Sequence, residues 1–320
     1  MSRTVLVTGV SRYLGGRMAA LLAADSRIDR VIGVDVVAPA SPIPGIDFVR
    51  ADIRNPVIAK VLGEAAVDTV VHMGVIATPK QAGGRSTMKE INVIGTMQLL
   101  AACQRTPSVH KVVVKSTAAV YGSGPKDPAM FSEEMEPRHA PTSGWAKDSA
   151  EVEAYVRGFA RRRPDVAVTT LRFANFIGPR VETALTAYFS QPVVMTVLGF
   201  DPRLQFVHED DGLAALQHAV HERRTGTFNI AGDGVLTLQQ AIRRTGHSSV
   251  PVVRMMFPIV GRGLSRGLVD YSPEAVRYLT YGRGLDTTAM RTRLCFEPQW
   301  TSESAFMSFV DFQRAEVQVA

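Results

Sequence analysis

Short apolar runs alternate with longer amphipathic stretches over the first half of the chain. The runs are rich in β-branched residues and predict strands at Val5–Val7, Val31–Val34, Phe48–Arg50, Val67–His72, Val112–Lys115 and Val168–Arg172. The stretches between them predict helices near Gly15–Ala24, Pro56–Gly63, Met88–Thr106 and Gly144–Arg163. This alternation is typical of βαβ units, so we predict an α/β fold with a doubly wound parallel sheet. Ligands of such sheets bind at the carboxyl ends of the strands.

The regular alternation stops after Arg172. Residues 174–205 are mixed and punctuated by Pro and Gly, whereas Phe206–Asp211 and Thr227–Ile230 predict a return to the sheet. We therefore assign residues 1–173 plus 206–231 to a sheet domain and residues 174–205 plus 232–320 to a smaller, mixed C-terminal lobe. A chain of 320 residues is long enough for two such cores.

Composition excludes several classes of protein. The net charge of +6 is spread along the chain, and its densest run, Arg161–Arg163, ends a predicted helix, so we expect no nucleic-acid partner. Two cysteines, Cys103 and Cys295, cannot build a disulfide framework or a metal quartet, so we expect no metal. No apolar run reaches the ~18 residues of a membrane span, and because the first predicted strand begins at Val5 without an apolar leader segment, we expect no signal peptide. We expect a cytoplasmic protein without a membrane partner.

A glycine turn joins the first predicted strand to the first helix. Glycines in such a turn let backbone N–H groups approach a pyrophosphate at the helix N-terminus. Asp35 ends the second strand about 20 residues later, where an acidic side chain binds the ribose 2′-hydroxyl. Asp52 and Ile53 follow the third strand, at a position that can meet adenine. We predict a Rossmann-type dinucleotide-binding domain whose turn residues are Gly9, Ser11, Arg12, Tyr13, Leu14 and Gly15.

Further segments match one family in order along nearly the whole chain. They are Val34–Asp35, Ala51–Ile53, Val70–Gly74, Asn92–Thr96, Ser116–Gly122, Lys147, Leu171–Pro179, Phe206–Asp211 and Phe228–Gly232. With the glycine turn, they resemble the extended short-chain dehydrogenase/reductases of the NAD-dependent epimerase/dehydratase kind. The resemblance implies that Met73 and Gly74 pass the cofactor and that Lys147 reaches the nicotinamide ribose. It also implies a homodimer formed through the helices near residues 88–106 and 144–163.

The turn departs from the family pattern at one position. The family has Thr-Gly-x-x-Gly-x-x-Gly, and Arg12 stands where its middle glycine is expected. A basic residue in this turn attracts a 2′-phosphate, whereas Asp35 repels one. Asp35 lies closer to the family position that distinguishes NAD from NADP, so we predict NAD as the cofactor.

The catalytic pattern is also incomplete. Redox members of the family use a Ser/Thr, a Tyr and a Lys, and Tyr-x-x-x-Lys places the last two on one helix face. The resemblance assigns Thr117 to the hydroxyl position and Lys147 to the lysine, but the tyrosine position is Ser143. An aliphatic hydroxyl is a far weaker acid than a phenol. Ser143 therefore either binds a substrate or a water, or caps the helix.

Two aromatic residues offer alternatives. Tyr121 lies in the loop that carries Thr117 and could bring a phenol to the nicotinamide. Trp145 cannot transfer a proton at neutral pH, so we expect it to stack on a ligand.

The C-terminal lobe supplies candidates for substrate binding. Asn175 lies in an Asn-x-x-Gly-Pro stretch, where the family meets substrate diphosphate or sugar. Arg203 can pair with a phosphate through two hydrogen bonds, although a solvated surface charge is the favoured interpretation of any single basic residue here.

Three functions remain open. The first is an NAD(P)-dependent epimerase/dehydratase-type oxidoreductase acting on a nucleotide sugar or a related hydroxyl or carbonyl substrate. The second is an atypical member with lyase, isomerase or cyclase chemistry that is not redox. The third is a dinucleotide-binding protein without catalysis. We favour the first, because Thr117 and Lys147 are kept.

Overall fold

The computed structural model describes residues 3–73, 84–138, 140–257, 259, 269 and 271–319. The predicted cofactor residue Gly74 lies outside these ranges. The strands are β1 Thr4–Thr8, β2 Arg30–Asp35, β3 Ile46–Arg50, β4 Thr69–His72, β5 Lys111–Thr117, β6 Ala167–Phe173, β7 Asn175–Ile177, β8 Val193–Val197, β9 Arg203–Leu204, β10 Phe206–His208, β11 Gly226–Ile230, β12 Leu236–Thr237 and β13 Ser248–Val252.

Helices alternate with the strands of the first half, as predicted. They are α1 Tyr13–Ala23, α2 Val57–Glu64, α3 Arg85–Lys89, α4 Thr96–Arg105, α5 Gly144–Arg162, α6 Ala184–Phe189, α7 Glu209–His221, α8 Leu238–Thr245, α9 Pro273–Tyr281, α10 Thr288–Thr292 and α11 Ser302–Val319. A π-helical segment, Glu90–Gly95, joins α3 to α4, and a 3₁₀ turn, Ala118–Tyr121, follows β5.

The main sheet confirms the predicted fold class. Its strand order is β11-β6-β5-β4-β1-β2-β3, and the pairs from β3 through β5 are parallel. The order reverses direction between β1 and β4, since β2 and β3 lie on one side of β1 and β4 and β5 on the other. This is the topological switch point at which ligands bind in doubly wound sheets.

The expected return of Phe206–Asp211 to the main sheet is wrong. Phe206–His208 pairs instead with Asn175–Ile177 in a separate two-stranded sheet. The chain then turns into α7, whose first turn carries Glu209, Asp210 and Asp211. Three acidic residues in a first turn favour a helix N-terminus through the helix dipole.

The predicted helix over Met88–Thr106 is longer and interrupted. It begins at Arg85 and passes through the π-helical segment. A Cβ on Gly95 would lie 2.8 Å from the Ile53 side chain, so the wider turn brings the helix close to the loop after β3. Insertions of this kind are frequent at functional sites.

The chain divides into two compact units, each with its own apolar core. The first comprises residues 1–116, 148–172 and 213–228, and the second comprises residues 117–147, 173–212 and 229–320. The stretch from 117 to 147 therefore groups with the second unit, whereas the sequence-based boundaries placed it in the sheet domain. The assignment of cofactor and substrate binding to the two parts stays a prediction.

Two further features concern function classes. No helix within the described ranges is long and apolar enough to span a membrane. The described residues also hold no group of three or more His, Cys, Asp or Glu side chains that could bind a metal ion.

Candidate functional site

The turn between β1 and α1 is tightly built. Gly9 has φ of +76° and donates its N–H to the Val34 carbonyl at 2.9 Å, which links the turn to β2. A Cβ on Gly15 would lie 2.0 Å from the Gly9 carbonyl oxygen, so only glycine allows the first turn of α1 to approach this closely. Tyr13 and Leu14 begin the helix. The turn places helix N–H groups at the switch point.

Asp35 stands beside this turn, at the end of β2. One carboxylate oxygen accepts the Ser11 N–H at 3.0 Å and the other accepts the Val36 N–H at 2.8 Å. The Ser11 hydroxyl donates to the Val37 carbonyl. An ionised carboxylate has about four acceptor positions, so Asp35 keeps capacity for a ribose hydroxyl.

Two cations lie at the same edge of the first unit. Burial lowers the pKa of Arg12, and the Asp35 charge opposes that shift. Burial, together with the charge of Arg12, lowers the pKa of Lys115 to about 8. Lys115 follows Val114, which pairs with His72 at the end of β4. Arg12 and Lys115 together make this edge a favourable place for an anion.

The remaining predicted cofactor residues of the first unit are already engaged in contacts. Asp52 accepts hydrogen bonds from the Arg54 guanidinium at 2.6–3.0 Å, which lowers the Asp52 pKa. The Ile53 side chain packs at Gly95. Met73 is buried and donates its N–H to Thr8 Oγ1 at 3.2 Å.

His72 is a structural residue. Its Nδ1 and Nε2 lie 2.9 Å from the hydroxyls of Thr8 and Thr96. The Thr96 hydroxyl donates to the Asn92 carbonyl, so it accepts from Nε2–H, and Nδ1 accepts from Thr8. Burial, with the Lys115 charge, lowers the pKa of His72 to about 4. His72 is therefore neutral at physiological pH.

Thr117 and Tyr121 begin the second unit. Thr117 is the last residue of β5, and its Oγ1 accepts the Ala119 N–H at 3.1 Å. Tyr121 is 1% exposed, stacks on Phe131 and donates its phenol proton to Asn229 Oδ1 at 2.8 Å. This contact argues against a phenol that swings to the nicotinamide, so Tyr121 stays only a prediction as a catalytic group.

Ser143 and Lys147 lie at the start of α5. Ser143 directly precedes the helix, and its carbonyl accepts the Lys147 N–H at 3.4 Å, as expected of a cap position. The Ser143 hydroxyl points elsewhere: it donates to Glu274 Oε1 at 3.5 Å. The same carboxylate oxygen accepts the Thr142 N–H at 3.4 Å. Sequence reasoning missed Glu274, because 131 residues separate it from Ser143.

A partly buried polar cluster surrounds the predicted substrate residue Asn175. Its amide donates to the Tyr278 hydroxyl at 2.6 Å, and the Arg283 guanidinium lies 5.2 Å from the centre of the Tyr278 ring. Burial lowers the pKa of Arg283 to about 10, although Tyr278, Asp127 and Glu274 oppose the shift. Arg283 donates to the Gly122 carbonyl and to Ser123 Oγ in the loop after Tyr121.

Asp127 completes this cluster. Both of its carboxylate oxygens are buried, and within the part of the chain that the structure describes neither accepts a hydrogen bond. A buried carboxylate is stable only with donors. A hydroxyl-bearing molecule can supply them.

The other two predicted substrate residues are less informative. Arg203 is exposed, and its backbone pairs with Thr237 and bridges to Gly282. Trp145 is partly buried in the first turn of α5. Neither position argues for or against a ligand, so both stay predictions.

Two buried ion-pair networks of the first unit were not predicted. Asp148, the residue after Lys147, accepts two hydrogen bonds from Arg85 at 2.6 Å and one from Asn92 at 3.4 Å. Glu153 accepts from Arg172 and, at 2.6 Å, from the Ser116 hydroxyl. The sequence shows charged residues on the apolar face of the amphipathic helix α5, but it does not show which residues they pair with.

Comparison with known proteins identifies the family to which this chain belongs. A model of the NAD dependent epimerase/dehydratase family matches residues 5–231. An uncharacterized protein of Mycobacterium tuberculosis is 48% identical over 309 residues, which cover 95% of this chain and 82% of that protein. Human short-chain dehydrogenase/reductase family 42E member 1 is 28% identical over 221 residues, or 65% of this chain and 56% of that protein.

Solved structures share the fold over almost the whole length. The UDP-glucose 4-epimerase of Thermotoga maritima, solved with UDP-glucose, has a TM-score of 0.74 at 21% identity and covers 98% of this chain and 99% of its own. The UDP-glucuronic acid 4-epimerase of Bacillus cereus, solved with UDP-glucuronic acid and NAD, has a TM-score of 0.75 at 19% identity, with the same coverage.

Proposed function

Because this chain belongs to the NAD-dependent epimerase/dehydratase family, we propose that it is an oxidoreductase of that type acting on a nucleotide sugar or a related hydroxyl or carbonyl substrate. The observation that carries the proposal is the place of Thr117 in the main sheet. Thr117 ends β5, and only β4 lies between β5 and the strand that leads into the Gly9–Gly15 turn. Ligands bind at the carboxyl ends of strands near such a switch point, and Thr117 puts a hydroxyl at one of these strand ends.

The residues of the first unit fit a dinucleotide. The N–H groups of the turn, with Arg12 and Lys115, would hold the pyrophosphate, and Asp35 would accept a ribose hydroxyl. Asp35 also disfavours a 2′-phosphate, which supports NAD over NADP. When bound, NAD supplies a carbon that accepts and returns a hydride.

The residues of the second unit fit a sugar. Thr117 would donate a hydrogen bond that orients the reacting oxygen, and Lys147 would hold the nicotinamide ribose. Asn175 and Arg283 offer N–H donors, whereas the buried Asp127 carboxylate offers acceptors for hydroxyls. Such a mixed set of donors and acceptors suits a polyol carrying a diphosphate.

One experiment tests the proposal. The protein is mixed with NAD and, in turn, UDP-glucose, UDP-glucuronic acid and dTDP-glucose. Absorbance at 340 nm and product mass are followed, and the sugars are also separated by chromatography, because epimers have equal mass. We expect turnover that Lys147→Ala abolishes and that Thr117→Ala lowers by about 10²-fold. Thr142→Ala, an exposed neighbour of Ser143, is the matched control and should leave turnover unchanged. Tight NAD binding without turnover of any sugar would contradict the proposal.

A second candidate is a member without redox chemistry. Ser143 favours it, because this exposed hydroxyl stands where redox members carry a phenol. A product formed by protein stripped of bound NAD, without added NAD and without an NADH signal, would establish this alternative.

We also propose a cytoplasmic homodimer. Ile94 and Tyr155, on the two segments expected to pair, are 41% and 38% exposed. Analytical ultracentrifugation of the protein and of an Ile94→Glu, Tyr155→Glu variant tests this, and a wild-type monomer would contradict it.

A further inference from the structure

Ser143 needs a partner to do acid–base chemistry. A serine hydroxyl holds its proton far more tightly than a phenol, so it cannot accept and release a substrate proton alone at neutral pH. It can pass a proton on, if a base accepts its own proton at the same time, as in other hydroxyl–base pairs of enzymes. The question is which group of the second unit lies within reach of the Ser143 hydroxyl.

Glu274 is the carboxylate at that position. Its Oε1 lies 3.5 Å from Ser143 Oγ and 3.4 Å from the Thr142 nitrogen. Both contacts are at the long end of hydrogen bonding, which is common at catalytic groups before a ligand binds.

The start of α9 holds Glu274 in place. Ser272 caps the helix by accepting the Ala275 N–H at 3.3 Å, and Pro273 occupies the first helical position. A carboxylate in a first turn is stabilised by the helix dipole. Glu274 is therefore presented by a helix terminus and not by a loose loop.

Other polar groups of the second unit are less suited to accept a proton. Lys147, one helical turn along α5, is an ammonium with donors only, and the Trp145 indole is likewise a donor. The Tyr121 phenol already donates to Asn229. Arg283, whose charge acts on both Glu274 and Asp127, supplies positive charge to the cluster.

We propose that Ser143 and Glu274 together take the place of the missing tyrosine, with Ser143 touching the substrate oxygen and Glu274 accepting the proton through it. The inference rests on the proposed function. In the oxidative direction the substrate O–H bond breaks and its proton moves to Ser143 Oγ, while the Ser143 proton moves to Glu274 Oε1. Bound NAD would take up the hydride that leaves the carbon bearing that oxygen, so that a carbonyl forms, and the reverse reaction would return the proton and the hydride.

Glu274 acts in this scheme as a positioning and relay residue, and Ser143 as the catalytic hydroxyl. Removing either should therefore lower kcat far more than it raises KM, because substrate binding keeps its other contacts. The two losses should not multiply, since one relay fails in both variants.

The test compares five variants in the NAD-dependent turnover of UDP-glucose. We expect Glu274→Gln and Ser143→Ala each to lower kcat by about 10²–10³-fold, with the double variant no worse than either. Ser143→Tyr supplies a phenol one turn from Lys147, so adding it to Glu274→Gln should restore activity. Glu303→Gln, the same change in the first turn of α11, is the control and should leave kcat unchanged.

Three results would overturn the relay: full activity in Glu274→Gln, losses that multiply in the double variant, or no rescue by Ser143→Tyr in variants that melt like the wild type. A crystal structure with NAD and UDP-glucose separates this failure from that of the proposed function. In that crystal structure, UDP-glucose bound beside NAD would support the proposed function. The separation of Ser143 Oγ from Glu274 tests the relay: about 2.7–3 Å supports it, and a carboxylate turned to solvent refutes it.

Discussion

Two ionisable side chains near the carboxyl edge of the main sheet have pKa values below their usual range. His72 is 1% exposed between two threonine hydroxyls, and the partly buried Lys115 follows Val114, the partner of His72 in the β4–β5 register. Removal from water disfavours the charged form of both groups. Both should therefore make folding stability depend on pH, and in predictable directions.

The pKa of His72 is lowered to about 4 in the folded protein, against about 6.5 in an unfolded chain. As the pH falls from about 6.5 to 4, the unfolded chain binds a proton that the folded protein refuses, so stability is lost, by up to about 3 kcal/mol. We predict that His72→Asn removes this part of the pH dependence. Urea unfolding at several pH values measures it.

The exposed His110 supplies the control for this experiment. His110→Asn should leave the pH dependence of unfolding as in the wild type. If His72→Asn loses as much stability as the wild type when the pH falls from about 6.5 to 4, other groups cause that loss.

Lys115 should cost stability in the absence of an anion. Its pKa is lowered to about 8, against about 10.4 unfolded, so the stability penalty is complete below pH 8 and disappears as the pH rises above 10. We predict that Lys115→Met raises the free energy of unfolding at pH 7 by about 1–3 kcal/mol and weakens NAD binding. Chemical denaturation and NAD titration measure the two effects.

Lys60→Met on α2, where the lysine is 70% exposed, is the matched control. It should change neither stability nor NAD affinity by a measurable amount. Equal NAD affinity in Lys115→Met and wild type would remove Lys115 from the cofactor site.

At the level of elements, the β1–α1 turn depends on close backbone contact. Helix α1 has no side-chain cap, and the glycines at positions 9 and 15 allow its first turn to lie against the strand end. The turn therefore acts as one unit with β2, to which Gly9 is hydrogen bonded.

Gly15→Ala should disrupt this turn. Its Cβ would lie 2.0 Å from the Gly9 oxygen, so backbone must move, which lowers the free energy of unfolding by about 3 kcal/mol and abolishes NAD binding. Gly63→Ala in α2 meets no atom within 4 Å and should instead stabilise the protein by about 0.5–1 kcal/mol. Thermal denaturation of both variants measures the contrast, and equal effects would contradict it.

At the level of the whole molecule, cofactor binding should stabilise the chain in proportion to its affinity. NAD at about 100 times its Kd should raise the free energy of unfolding by about 2.7 kcal/mol. NADP at the same concentration should raise it less, because Asp35 repels a 2′-phosphate. Melting curves with each cofactor test this. Asp35→Ala should reduce the difference between the stabilisation by NAD and the stabilisation by NADP. A larger rise with NADP would reverse the cofactor assignment.

Much of the fold follows from local patterns. The six predicted strands of the first half and the helices between them are present, and strand ends differ from the prediction by no more than two residues. The pattern failed at Phe206–Asp211, where an apolar run is a strand for three residues and a helix afterwards. An apolar run alone cannot say which sheet a short strand joins.

The candidate site divides in the same way. The glycine turn and Asp35 were predicted from spacing along the sequence, and Thr117 and Lys147 from the resemblance to the family. The sequence did not predict Glu274, Asp127 or Arg283, because the residues they interact with are far away along the chain.

By itself, the sequence determined the doubly wound sheet and the glycine turn, because hydrophobic periodicity and turn chemistry act over a few residues. With the family resemblance, it also placed Ser143 where a tyrosine is expected, four residues before Lys147. Only the tertiary structure decided what surrounds that position. It buries the Tyr121 phenol against Asn229 and brings the Glu274 carboxylate to the Ser143 hydroxyl across 131 residues. Such pairings depend on how whole elements pack, and no local pattern records them.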